Sequence, residues 1–269
     1  MIISVTSDKS TRTAWQVTRD VWRALFLREI SARISADRFG WTWLFIEPIL
    51  HIVILIAIRE LLGRTRFIIN AEFIPWLVIG LMSFFVFQKS LTRAMGAINA
   101  NKGLFTYRQI HPVDTVLSRC LVELLLKSVV FAIFIVALSV LDAKIIPHDV
   151  IAVILLWLGC WGLGLGCGLV ISVVVAILPE MEKVVNIAMT PMYFLSGVML
   201  PLNLLPRNLH DVLLLNPVAH YLELIRLGFF GNYHTLFSIN VLYPLVFTFS
   251  SILLGLTLHV VFKMRVKAQ

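Results

Sequence analysis

An all-α polytopic membrane protein is the fold this sequence predicts, and three observations predict it. Residues 150–178 contain no charged side chain. About 20 apolar residues rising roughly 1.5 Å each already cross a hydrocarbon core of about 30 Å. Several further apolar stretches of comparable length lie on either side of it. Charged residues make up only 14% of the chain, against roughly 25% in a soluble domain. The 269 residues therefore read as one membrane domain, residues 40–269, preceded by a polar-rich tail, residues 1–39. That tail has no apolar h-region before a small-residue cleavage site, so it is not read as a signal peptide, and the first membrane helix is expected to be retained.

Within the tail, residues 14–36 predict an amphipathic helix on the membrane surface. Val21, Trp22, Leu25, Phe26, Ile30 and Ile34 recur at helical spacing, while Arg19, Arg23 and Arg28 can reach headgroups. Glu29 and Arg33 fall near the apolar side, where an acid needs a partner. Six crossings are expected after it: residues 41–58, 73–90, 121–141, 150–178, 184–200 and 238–262. The first contains Glu47, Pro48 and His51, and the third carries Glu123 and Lys127 near its start. In the fourth, Gly162/Gly166 and Gly164/Gly168 have small-x-x-x-small spacing, which lets helices approach closely. The smooth face they form would also let a helix slide. Residues 201–235 hold two apolar patches too short to span, 212–215 and 222–230, split by Asn216 and Pro217. Such pieces suit re-entrant or interfacial helices.

Lys and Arg set the orientation. With the amino end in the cytoplasm, 17 of the 23 fall on the inner side and 6 on the outer, so both termini are expected to be cytoplasmic. The net charge of +8 then reads as topology information and affinity for anionic lipid, not for nucleic acid. Cys120, Cys160 and Cys167 have neither paired C-x-x-C spacing nor a nearby histidine cluster, so no disulfide framework or zinc site is expected. The sequence has no G-x-x-x-x-G-K-[ST], H-E-x-x-H or G-x-S-x-G motif. The pairs His148-Asp149 and His210-Asp211 read as interfacial residues, because helix neighbours in sequence do not face each other.

Three patches together resemble one family. The first is Leu27-Arg28-Glu29-Ile30, then Gly40-Trp41-x-Trp43 and Glu47-Pro48. It resembles the amino-terminal signature of type-2 ABC exporter permeases. The second spans residues 100–108 and continues into Pro112-Val113-Asp114-Thr115. It is similar to the cytoplasmic loop of permeases that export capsular polysaccharide in Gram-negative bacteria. The third combines residues 178–184 and 191–197 with Leu215-Asn216-Pro217-Val218-x-His220 and Glu223-Leu224-x-Arg226. One departure is Asp37 within residues 35–39, where relatives carry more basic residues. The resemblance implies a homodimer of six-helix subunits in the bacterial inner membrane, paired with two copies of a cytoplasmic ATPase. ATP and Mg would be bound by that partner, with no cofactor in this chain. The implied cargo is a lipid-linked, acidic polysaccharide. A periplasmic adaptor and an outer-membrane export protein would carry it onward.

Candidate residues follow from that reading. Energy must arrive through cytoplasmic loops, so Asn101, Lys102, Arg108 and Asp114 in one loop are candidates for ATPase coupling. Pro179, Glu180, Glu182 and Lys183 in another are candidates too, Pro179 ending the helix before it. A plain polar turn is the alternative there. A glycan path needs flat faces and cations. Candidates are Trp41, Trp43, Phe45 and Glu47 at the inner mouth, Phe84, Phe85, Phe87, Lys89 and Arg93 on the second crossing, and Tyr193 and Phe194 on the fifth. Arg59, Arg64 and Arg66 stand at the outer end of the first crossing. Glu47 reads equally as a pathway wall or as a salt bridge to Arg28 or Arg33. Asn216, Pro217, Glu223 and Arg226 form a candidate periplasmic gate. Two other functions stay open: a permease for O-antigen, teichoic acid, another lipid-linked glycan or a drug, and an integral-membrane transferase on lipid-linked sugars. The scatter of acids and histidines argues against the transferase.

Overall fold

A computed structural model describes residues 13–35, 42–61, 71–141, 143, 145–202, 206–231, 233, 235 and 239–264. Among these the chain is helical throughout, with no strand. The helices are α1 (Ala14–Ser35), α2 (Trp43–Leu61), α3 (Phe73–Met95), α4 (Ala97–Ala100), α5 (Pro112–Val140), α6 (Val150–Ile177), α7 (Met181–Leu195), α8 (Arg207–Leu214), α9 (Pro217–Phe229) and α10 (Leu242–Val261). A 3₁₀ turn, Lys102–Thr106, links α4 towards α5.

Local chemistry sets several boundaries. α5 starts with Pro112 at its first position, and the His111 N–H donates to Asp114 Oδ2 at 2.9 Å. α6 is capped by Asp149, whose Oδ1 accepts from the Ala152 N–H at 3.0 Å. Pro217 opens α9, and the Asn216 side chain accepts from the Val218 N–H at 3.0 Å. α7 stops at Ser196, followed by Gly197 with φ +71°, a left-handed turn that glycine adopts without strain.

α6 is the axis of the fold, with α3 on one side and α10 on the other making the most extensive contacts. Its glycines permit this. Gly164 lies against the Phe87 backbone and Ser90 of α3, while Gly162 and Gly166 face Thr248, Ser251 and Ile252 of α10. α5 closes the other side of α3. Indole N–H groups tie α6 to it, Trp157 to Ser128 Oγ at 2.9 Å and Trp161 to the Cys120 carbonyl at 2.8 Å. α9 fills the angle between α3 and α6. From Pro75 to Phe87 every residue of α3 is buried.

Among the described residues, four helices are long and apolar enough to cross a membrane: α3, α5, α6 and α10. The apolar part of α2 is the shorter Trp43–Ile58. At the expected fifth crossing, residues 184–200, the helix has different bounds. α7 begins at Met181 and ends at Leu195, and its 15 residues extend only about 22 Å. The expected third crossing also shifts, because α5 begins at Pro112 rather than at residue 121. The expected split of residues 201–235 at Asn216 and Pro217 is where α8 ends and α9 begins.

Candidate functional site: a charged groove among α1, α2, α3 and α7

α1 does more than lie on a surface. It packs along α5, with Leu25 buried. Its polar residues form a seam with α5 and the turn before it. The Trp22 indole N–H donates to Asp114 Oδ1 at 2.9 Å, and Arg28 donates to Asn101 Oδ1. Glu29 Oε1 meets Arg119 Nε at 3.2 Å, and Arg33 Nε meets Glu123 Oε1 at 3.5 Å. Glu29 and Arg33 fall on the apolar side because that side faces protein, where each finds its partner.

The seam leads into a cluster of charges. Glu123 also meets Arg93 Nε of α3 at 3.3 Å. Glu47 of α2 bonds Lys89 Nζ at 2.5 Å through Oε1 and lies 3.8 Å from Lys127 Nζ through Oε2. The alternative pairing of Glu47 with Arg28 or Arg33 is thereby corrected. Arg33 is held by Glu123, Arg28 by Glu29 and Asn101, and Glu47 turns inward to lysines of α3 and α5. Lys127 is 0% exposed and lies over the Phe85 ring at 5.3 Å. Here Phe85 supplies a cation–π face.

A groove of about 690 Å³ opens beside this cluster. Trp43, Glu47, Leu50 and His51 line it from α2, Lys89, Thr92 and Arg93 from α3, Arg33 from α1, and Glu182 and Asn186 from α7. A smaller cavity of about 160 Å³ lies between α1 and α5, bounded by Glu29, Arg33, Arg93, Arg119 and Glu123. His51 also meets Phe85 and Tyr193 edge-on at 5.5 and 5.7 Å, and Tyr193 meets Phe84 at 5.2 Å.

The structure thus gathers Trp43, Glu47, Lys89, Arg93 and Glu182 at one groove and separates other candidates from it. Phe84 and Phe87 are buried in the core against α7 and α6 neighbours and do not line this groove; Phe85 reaches the lysines and His51 from within the core. Phe45 packs half-buried on the same core. Tyr193 is half-buried and Phe194 exposed on α7. Trp41, Arg64 and Arg66 lie outside the described residues, as does the Arg59 side chain. Of the coupling candidates, Lys102, Arg108, Pro179, Glu180, Glu182 and Lys183 are exposed. Asn101 and Asp114 are instead buried, and their side chains hold α1 and the start of α5.

The gate candidates take a different form from an exposed latch. Arg226 is fully buried, 3.5 Å from the Trp76 ring centroid. Its Nη1 donates to Glu223 Oε1 at 2.8 Å and to the Gly197 carbonyl at 2.9 Å. Glu223 Oε2 accepts from Thr235 at 2.8 Å. Asn216 caps α9 and donates to Ser196 Oγ at 2.8 Å, which ties α9 to the end of α7. Sequence reasoning missed Arg119, Glu123 and Lys127 as site residues. The available signal was the charge itself, since ionisable residues inside an apolar helix are costly and kept for partners or function.

The chain matches the ABC-2 type transporter family over residues 20–230. It is 34% identical over 248 residues to the polysialic acid transport protein KpsM of Escherichia coli, covering 92% of this chain and 95% of that one. It is 28% identical over 253 residues to the capsule polysaccharide export inner-membrane protein CtrC of Neisseria meningitidis serogroup A, 94% and 95% of the two chains. It is 26% identical over 226 residues to the capsule polysaccharide export inner-membrane protein BexB of Haemophilus influenzae, 84% and 85% of the two chains.

Proposed function

The chain belongs to the ABC-2 type transporter family, and from that premise we propose that it is the membrane subunit of an exporter that moves capsular polysaccharide across the bacterial inner membrane. The observation that carries this reading is its end-to-end likeness to relatives named for polysaccharide transport and export. The groove supports it. Charges placed inside apolar helices are expensive unless paired or used, and here they gather beside an open, partly aromatic cleft.

In this reading two subunits pair around a shared path, and each is driven by a cytoplasmic ATPase that binds ATP and Mg. The exposed Lys102 and Arg108, with Pro179, Glu180 and the first turn of α7 carrying Glu182 and Lys183, meet that ATPase. α2 and α7 complete six crossings, with both termini in the cytoplasm. The cargo is lipid-linked and acidic, and a periplasmic adaptor and an outer-membrane protein receive it. Deletion in an encapsulated host should remove surface polysaccharide while polymer accumulates inside, and the purified chain should bring an ATPase with it. Loss of polymer synthesis itself would point to an enzyme and defeat the proposal.

A further inference from the structure

We propose that Lys89 and Arg93 of α3, with Arg33 of α1, form a receptor for the oxyanion at the junction between a lipid anchor and a polar head, and that Glu47 is the internal anion this ligand displaces. The inference rests on the exporter reading for the identity of the ligand, but its geometry stands apart from that reading. Four cations, Arg33, Lys89, Arg93 and Lys127, share two carboxylates, Glu47 and Glu123. Each carboxylate is divided between two cations, and Glu182 of α7 is a third acid on the groove, so four cations face three carboxylates and a net positive charge remains beside the buried Lys127. An arriving anion relieves that excess.

Lys127 marks the deficit. It is fully buried, and its Nζ makes no hydrogen bond among the described residues, with Glu47 Oε2 at 3.8 Å. Glu47 stands between this lysine and Lys89, and its side chain is 34% exposed on the groove side. An arriving oxyanion takes Lys89 and Arg93, which are one helical turn apart on one face. Glu47 then turns wholly to Lys127, and no cation is left without a partner at any stage.

The walls select an amphiphile over a free ion. Trp43, 60% exposed, and Leu50 form a greasy side of the groove. Ile46, Ile49 and Val53 continue it as an exposed row along α2, against which the first part of an acyl chain can lie. Thr92, His51 and Asn186 lie on the polar side, within reach of hydroxyl groups. The volume suits a head group of a few sugar units' size, within the ordinary range for small-molecule sites.

The test is binding of phosphatidylglycerol to the full-length protein in bilayer discs of phosphatidylcholine. The wild type should prefer the anionic lipid. Lys89→Gln with Arg93→Gln should lower that preference about tenfold. Glu47→Gln should raise it several-fold, because the competing carboxylate is gone. The pair Glu47→Gln with Lys127→Met, which removes the buried lysine together with its carboxylate partner, should fold and keep the raised affinity. No preference for the anionic lipid, no loss in the Lys89/Arg93 variant, or no gain on Glu47→Gln would overturn the proposal. Full displacement of the lipid by inorganic phosphate would overturn the amphiphile assignment. Deletion separates this inference from the exporter reading. Surface polysaccharide that persists on deletion removes the capsule cargo while a responsive titration keeps the site; surface polysaccharide that disappears, with a flat titration, removes the site alone.

Discussion

At the scale of single residues, the pair Glu223 and Arg226 shows how far spacing carries. Three residues apart on a helix, they can meet, and they do, at 2.8 Å. Their burial was not legible, because it depends on Trp76 of α3 and on carbonyls of Gly197 and Val198 after α7, none of them near in sequence. A buried ion pair is weak support for stability as a pair, but losing one member leaves an unmatched charge. Arg226→Met should therefore destabilise the fold by about 3–5 kcal/mol, read as a fall in the thermal midpoint of the detergent-solubilised protein. Replacing both partners by apolar residues of similar volume should restore most of it. A single Arg226→Met variant as stable as the wild type would show that the network is dispensable.

At the scale of elements, apolar runs located the long helices but misplaced their ends where charge faces protein. Arg119 read as lying before the third crossing and Glu123 and Lys127 as near its start, yet all three lie on α5 opposite α1, α2 and α3. Hydropathy scores them as solvated because it has no access to the partner helix. The glycines of α6 were legible as a packing device, although which helix each would meet was not. A β-carbon on Gly164 would stand 2.6 Å from the Phe87 carbonyl oxygen and 3.2 Å from its Cα. Backbone cannot yield as a side chain does. On Gly162 the nearest atom is the Thr248 methyl at 3.2 Å, which can give. Gly164→Ala should thus cost about 1–3 kcal/mol, the range for overpacking, and Gly162→Ala well under that. Equal losses of stability in the two variants would contradict the packing described. In the first turn of α5, Asp114→Ala removes acceptors for the His111 N–H and the Trp22 indole. Faster amide exchange in the first turn of α5 and along α1 is the expected result.

At the scale of the whole molecule, α7 runs from the exposed turn before it to the groove, which is the connection the proposed coupling needs. Its first turn follows the exposed Pro179 and Glu180, and Glu182 and Asn186 on the same helix line the groove. Tyr193, near its other end, touches His51 and Phe84. α7 packs on α3 and α6 much less extensively than α3, α6 and α10 pack on one another, and Val184, Ile187, Phe194 and Leu195 are exposed. A rigid helix with few neighbours moves as a unit, so a push on its first turn reaches the groove without repacking the core. Glu180→Arg reverses the charge at the exposed end and touches neither the groove nor the core. It should leave the subunit assembled with its ATPase and leave nucleotide hydrolysis running, while export of surface polysaccharide falls steeply. Tyr193→Ala with Phe194→Ala acts at the opposite end and should lower export with hydrolysis and assembly both retained. Normal surface polysaccharide in cells carrying Glu180→Arg would separate α7 from energy transfer, and the drive would then have to enter through the other exposed loop, at Lys102 and Arg108.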